Sequence, residues 1–186
     1  MGARGLIETG VPPQPQWILY VKAAIIFLAT IVFALGAYGC SLGYLASGGV
    51  AGMDIFIAIW TYIVYGGTLA VEHYRPDMFY RIVALIGYIL ATIFWLSAWA
   101  WSANVAALWL DLSWKGTDAH NLGGAMAGAA ATGAINWVLV IVHLVFFIRG
   151  SILDPNTSGR AELGQVKPEA STTSQQPYPQ QSYNSQ

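Results

Sequence analysis

The stretch VEHYRPDMFYR, Val71 to Arg81, lies between two long runs that contain no formal charge, residues 55–71 and residues 82–110. It holds four of the chain's 17 formal charges (8 basic plus 9 acidic residues): Glu72, Arg75, Asp77 and Arg81. Basic residues gather near the ends of membrane spans, on the cytoplasmic side. The stretch therefore predicts a hairpin that joins two membrane-spanning segments at a membrane surface.

The composition supports a membrane protein. Of the 186 residues, 56% are hydrophobic and 9% are charged, and the mean hydropathy is +0.53. Soluble domains carry about 25% charged residues. The net charge of −1 gives no basis for binding nucleic acid, which requires a basic patch. The single cysteine, Cys40, excludes an internal disulfide.

Four apolar runs have, or nearly have, the length of about 20 residues that crosses about 30 Å of hydrocarbon. Helices are predicted for them because the runs are too long, and alternate too little, for the strands of a barrel. The predicted fold is all-α, an integral membrane four-helix bundle. Its spans cover about residues 23–45, 55–71, 82–108 and 123–148.

The remaining segments are predicted to connect or flank these spans. Residues 47–54, SGGVAGMD, are expected to form a Gly-rich turn, and residues 111–122 form the longest connection. The N-terminal segment 1–16 is expected to be extended. Residues 150–186 are rich in Gln, Ser, Pro, Thr and Tyr, so we expect a disordered polar tail.

The basic residues predict the orientation. Four spans put both termini and the hairpin on one side, which then carries seven basic residues: Arg4, Lys22, Arg75, Arg81, Arg149, Arg160 and Lys167. The opposite side carries Lys115 alone. The N- and C-termini are therefore predicted to be cytoplasmic. The residues expected to determine the topology are Lys22, Arg75, Arg81 and Arg149. The glycosylation pattern at Asn156 is expected to stay unmodified in the cytoplasm.

The charges at the span ends allow structural and functional interpretations. Asp54 and Glu72 are predicted at the two ends of the second span, where they need not be buried. Glu72 is either part of an ion path or a solvated residue paired with Arg75. Lys22 is expected to extend its ammonium group out to the surface. Arg75 precedes Pro76, and this order predicts the end of the helix.

Three polar residues are candidates for a position inside the membrane. Asn104, Asn136 and His143 are each predicted to form interhelical hydrogen bonds, with a titrating or ligand-binding role as the alternative for His143. The loop from Asp111 to His120 has a single histidine and lacks an EF-hand pattern. We therefore predict no metal site, cofactor or catalytic residue.

Small residues predict close helix packing, because they let helix backbones approach in lipid. The candidates are Gly36, Gly39, Gly43, Gly87, Ala91, Gly124, Gly128 and Gly133. These small residues either allow close packing between helices of the same bundle or form a face through which two copies of the chain associate. Trp95 and Trp99 share one face of the third span and offer either ordinary lipid and helix contacts or a surface for a flat sterol ring.

Two stretches resemble a known family. IFWLSAWAWSANVA, Ile93–Ala106, resembles the third span of MARVEL-domain proteins of filamentous fungi, and GGAMAGAAATGAINWVLVIVHLVFF, Gly123–Phe147, resembles the fourth. The resemblance covers about residues 17–149. The resemblance implies a non-enzymatic role in membrane apposition, vesicle trafficking or sterol-rich membrane domains. Some animal relatives carry cysteine pairs in outer loops, which this chain lacks.

Two functions remain open from the sequence. The first is a membrane-organising protein whose partners are membrane lipids, with sterol as a candidate, and homo- or hetero-oligomer partners. The plasma membrane is its expected location, with endomembranes as the alternative. The second is a small transporter or channel subunit, suggested by Glu72, Asn104, Asn136 and His143. An enzyme is not predicted.

Overall fold

A computed structural model describes residues 9–42, 45–112 and 116–153 of the chain. Its helices are α1 (Trp17–Ser41), α2 (Leu45–Thr61), α3 (Gly67–Tyr74), α4 (Arg81–Asp111) and α5 (Thr117–Ile152). A π-helical segment, Tyr62–Gly66, joins α2 to α3 without a break. Gly43, the Asn156 motif and most of the predicted disordered tail lie outside the described residues.

Four helical segments of the described chain are long and apolar enough to cross a membrane. They are Trp17–Ser41, Gly49–Tyr74, Arg81–Asp111 and Thr117–Ile152. The second combines most of α2 with the π-helical segment and α3. The prediction of an all-α bundle of four spans is therefore confirmed.

The four spans pack in a closed order. The first span contacts the second and the fourth, and α4 contacts α5 and the second span. One buried apolar cluster runs through Ile25, Ile57, Tyr88, Trp95 and Phe147. A second cluster near the other end contains Val50, Val105, Leu122 and Met126. The buried residues of each span recur three or four positions apart, as expected of helices that turn one face toward the bundle interior.

The N-terminal segment contacts both the α3–α4 connection and the last part of α5 at one end of the bundle. The Gly10 amide donates to the Phe79 carbonyl oxygen (2.9 Å), and Arg81 Nε donates to the Gly10 carbonyl oxygen (2.7 Å). Gly150, near the end of α5, lies so close to Pro13 that a Cβ there would come within 2.6 Å of the proline carbonyl oxygen. We call this end the basic end. Its cytoplasmic location stays a prediction.

Proline ends α3 as predicted. Arg75 leaves the helical conformation, with φ −145° and ψ 63°, directly before Pro76. Residues 76–78 form a single 3₁₀ turn, and α4 begins at Arg81. Steric clash with the proline ring disfavours the helical region for the preceding residue, which favours the end of α3 at this point.

Several predicted boundaries are wrong. The first span begins at Trp17 rather than at 23, and residue 45 already belongs to α2. The predicted turn 47–54 lies within the α2 helix, and residues 117–122 belong to α5. Glycine is well tolerated in membrane helices, so a Gly-rich sequence does not by itself mark a turn there. A glycine does mark the start of α5, where Gly116 has φ +139°.

The small residues mostly serve contacts within the bundle. A Cβ added to the backbone would lie within about 3.3 Å of a neighbouring helix at five of the predicted glycines, and Ala91 is fully buried. The five are Gly36, Gly39, Gly87, Gly128 and Gly133. Gly124 is different, because it is exposed and has open space around it. Trp95 is fully buried, so of the two interpretations of this residue the structure supports helix contacts rather than a surface for a sterol ring.

Candidate functional site

An ion pair connects the first and second spans near the basic end. Lys22 Nζ lies 2.6 Å and 2.7 Å from the two carboxylate oxygens of Glu72, and Lys22 is 2% exposed. Lys22 therefore does not extend to the surface, and Glu72 does not pair with Arg75; both predictions are wrong. The reason is the early start of α1, which places Lys22 on the buried face with Ile18 and Ile25.

His143 lies deeper, among aromatic rings. Its ring centroid is 4.5 Å from that of Tyr88 and 5.2 Å from that of Tyr65, and Phe147 stacks at 6.4 Å. His143 is fully buried, and neither ring nitrogen has a hydrogen-bond partner among the described residues. The prediction of a hydrogen bond to a neighbouring helix is therefore wrong. The Tyr65 hydroxyl also has no partner there.

Asn136 lies two helical turns from His143 on the same buried face of α5. It is fully buried, and both polar atoms of its amide lack a protein partner in the part of the chain described. Asn104, in contrast, is exposed on α4. Of the two predicted interhelical asparagines, the structure places only Asn136 inside the bundle. A buried amide without a partner costs about 1–3 kcal/mol.

Asp54 is the site residue that the sequence interpretation missed. The sequence predicts it at an exposed span end, yet it is 1% exposed. The Ser102 hydroxyl on α4 donates to its carboxylate, 3.1 Å and 3.0 Å from the two oxygens. Its position could have been found from the buried spacing of Val50, Asp54, Ile57 and Thr61, three or four residues apart, if the helix had been extended past the glycines.

These groups form a row along the inside of the bundle, which we call the polar axis. Gly36 marks the level of Asp54 along α1, because a Cβ added at Gly36 would lie 3.1 Å from Asp54 Cβ. Gly36 follows Lys22 by 14 residues. At 1.5 Å per residue, the axis spans about 21 Å of the bundle. In order from the basic end its members are Lys22 with Glu72, His143, Asn136, and Asp54 with Ser102.

A groove opens on the outside of the bundle, between the second span and α4, on the half nearer the basic end. Its volume is about 450 Å³. Its lining is apolar, with contributions from Trp60, Val64, Val71, Phe79 and Val83. Glycine forms part of both walls, at Gly67 and at Gly87. We call this feature the lipid-facing groove.

Arg75 stands beside the membrane-surface end of the lipid-facing groove. Its side chain is exposed, and Nη1 lies 3.8 Å from the sulfur of Met78, a groove-lining residue. Glu72, one turn earlier, is paired with Lys22 instead. Arg75 consequently has no carboxylate partner among the described residues.

The other predicted basic residues lie at the same end. Arg81 is buried and holds the N-terminal segment through Gly10. Arg149 is exposed near the end of α5. Asp111, Asp118 and His120 are exposed at the opposite end, and within the described ranges no three His, Cys, Asp or Glu residues are grouped to hold a metal ion.

Comparison of the chain with protein-family models, with curated proteins and with solved structures finds no match. The helices therefore define the class. The chain is an integral, multi-pass membrane protein with four candidate membrane-spanning helices in its described part. Membership of the MARVEL family stays a prediction.

Proposed function

We propose that the protein is a non-enzymatic membrane protein that organises membrane domains, or membrane apposition and vesicle traffic, through contacts made within the bilayer. The shortness of the connections carries the proposal. The helices leave only residues 42–44, 75–80 and 112–116 between consecutive spans, which is too few to build a separate domain for a soluble substrate. Within the described residues, the surface that partners could contact lies mainly along the spans.

The outward faces of the spans support this proposal. Each span exposes large apolar side chains, including Phe27, Ile63, Val83 and Val138. The MARVEL resemblance favours the same role, at the plasma membrane rather than an endomembrane. The proposed partners are membrane lipids, with sterol as a candidate, and other copies of the chain or other membrane proteins.

The proposal can be tested in giant vesicles with coexisting sterol-rich and sterol-poor phases. A fluorophore on Cys40, which is exposed, reports where the full-length protein lies. We expect enrichment in one phase and a change in domain size as the protein density rises, with single-phase vesicles as the control. An even distribution, unchanged domains and a monomer in native-lipid nanodiscs would together rule the proposal out.

A small transporter or channel subunit is the second candidate, and the polar axis favours it. Transporters place ionisable and hydrogen-bonding groups inside the membrane, where they otherwise raise the free energy of the fold. Asp54, Asn136 and His143 are such groups, and all three are buried in the bundle. Asn136 and His143 lack protein partners among the described residues, as expected of groups that bind a polar species in transit.

Replacing Asn136 with leucine separates the two candidates. A transport role predicts that liposomes containing the wild-type protein take up protons or small ions faster than empty liposomes, and that N136L loses the excess flux. The matched control is N104L, which changes an exposed asparagine. A purely structural interior predicts no excess flux, and N136L then stabilises the protein by about 1–3 kcal/mol because an unpaired buried amide is removed.

A further inference from the structure

The lipid-facing groove is built for an apolar occupant. The Thr68 hydroxyl, which is polar, accepts a hydrogen bond from Tyr88 (3.0 Å) and donates one to the Tyr65 carbonyl oxygen (3.2 Å). The Thr68 hydroxyl is therefore already paired, and most of the remaining lining is apolar. Its volume of about 450 Å³ lies within the range of about 300–1,000 Å³ that is typical of small-molecule sites.

The backbone explains why a groove exists there. The second span has a π-helical segment directly before Gly67, and such segments shift the register of the side chains. A Cβ added at Gly66 or at Gly67 would meet no other atom within 4 Å. Across the groove, a Cβ added at Gly87 would lie only 3.1 Å from the side chain of Val64. The two spans therefore touch at Val64 and leave space beside Gly67.

The arginine at the rim of the groove is not paired with a carboxylate. Arg75 would have Glu72 as its partner one turn away, but Lys22 occupies both oxygens of that carboxylate. Asp77 is exposed in the same connection and forms no ion pair with Arg75. Arg75, which has no carboxylate partner among the described residues, contacts Met78 at the rim of the apolar groove.

The two features together match one kind of molecule. We propose that the lipid-facing groove binds one acyl chain of an anionic phospholipid whose phosphate lies against Arg75. A neutral lipid or a sterol would use the groove and leave Arg75 unpaired, and a soluble anion would use Arg75 alone. This inference rests on the proposed function, for which it names the lipid class. If the basic end is cytoplasmic, the groove faces the leaflet that holds the anionic lipids.

Native mass spectrometry of the full-length protein tests the proposal directly. The protein is purified in mild detergent with phosphatidylcholine and phosphatidylserine, and the retained lipids are counted. We expect one phosphatidylserine per chain, preferred about fivefold over phosphatidylcholine, which is the effect of about one basic residue near a membrane surface. Glycerophosphoserine, the soluble headgroup, is expected not to displace it.

Two pairs of variants locate the site. R75Q is expected to abolish the about fivefold preference, whereas R149Q, which removes another exposed arginine at the same end, retains it. V83W fills the groove and is expected to lose the bound lipid. V138W places the same ring on α5, where it does not line the groove, and is expected to keep the lipid.

Three results would overturn the proposal: equal retention of the two phospholipids, a preference that survives R75Q, or replacement of the lipid by sterol or by a second copy of the chain. The vesicle experiment separates this inference from the proposed function. If the lipid is retained but the membrane domains do not change, the proposed function is contradicted and the lipid site remains supported. If the membrane domains change but no lipid is retained, the lipid site is contradicted and the proposed function remains supported.

Discussion

Replacing Glu72 with glutamine is expected to lower the free energy of unfolding by about 3–5 kcal/mol, because Lys22 is left with an unpaired charge inside the bundle. Lys22 is held by both carboxylate oxygens and is 2% exposed. It cannot recover this interaction from water without moving α1. Unfolding of the reconstituted protein by steric trapping measures the change.

Two controls make this result specific. D77N removes an exposed acidic charge in the adjacent connection, and its effect is expected to stay within about 0.5 kcal/mol. The double variant K22M/E72L replaces the pair with apolar side chains and is expected to recover most of the lost stability. If E72Q unfolds with the wild-type free energy, the ion pair does not join the first and second spans.

Replacing Gly36 with leucine is the second large effect that we expect. A Cβ at this position would lie 3.0 Å from the Ala51 carbonyl oxygen and 3.1 Å from Asp54 Cβ. Neither neighbour is the flexible end of a side chain, so α1 and α2 have to separate. The expected loss of stability is about 3 kcal/mol, and the same unfolding assay measures it.

The matched control for Gly36 is Gly52. It lies on α2, is exposed, and has open space where a Cβ would lie. G52L is expected to change stability by no more than about 1 kcal/mol, the difference in helix propensity. Equal losses for G36L and G52L would show that the small residue at position 36 is not required for close packing of the first two spans.

The sequence predicts the class of fold because the membrane leaves few alternatives. The apolar runs and the charged hairpin at Arg75-Pro76 suffice for four spans and for the end of α3. The predicted boundaries fail where a charged residue is assumed to mark the end of a span. Lys22 and Asp54 lie inside helices, and their burial is tolerated because each has a partner on another helix, Glu72 and Ser102.

The candidate sites are harder to predict, because they also depend on partners from different helices. Partners such as Lys22 and Glu72, 50 residues apart in sequence, meet only when the rotation of each helix about its axis is known. Hydropathy does not fix that rotation. His143 and Asn136 are recognisable as polar residues inside a span, but their lack of protein partners among the described residues is a property of the assembled core. The lipid-facing groove depends on the π-helical segment, which no pattern in the sequence marks.

The sidedness of the basic end is the most direct test of the account, since the predicted orientation of the spans and the leaflet of the proposed lipid site both depend on it. Cys40 lies near the opposite end of α1 and is exposed. A membrane-impermeant maleimide applied to intact cells is expected to label Cys40, whereas the double variant C40S/D77C is expected to react only after permeabilisation. Labelling of C40S/D77C in intact cells, with Cys40 of the wild-type protein protected, would contradict the account.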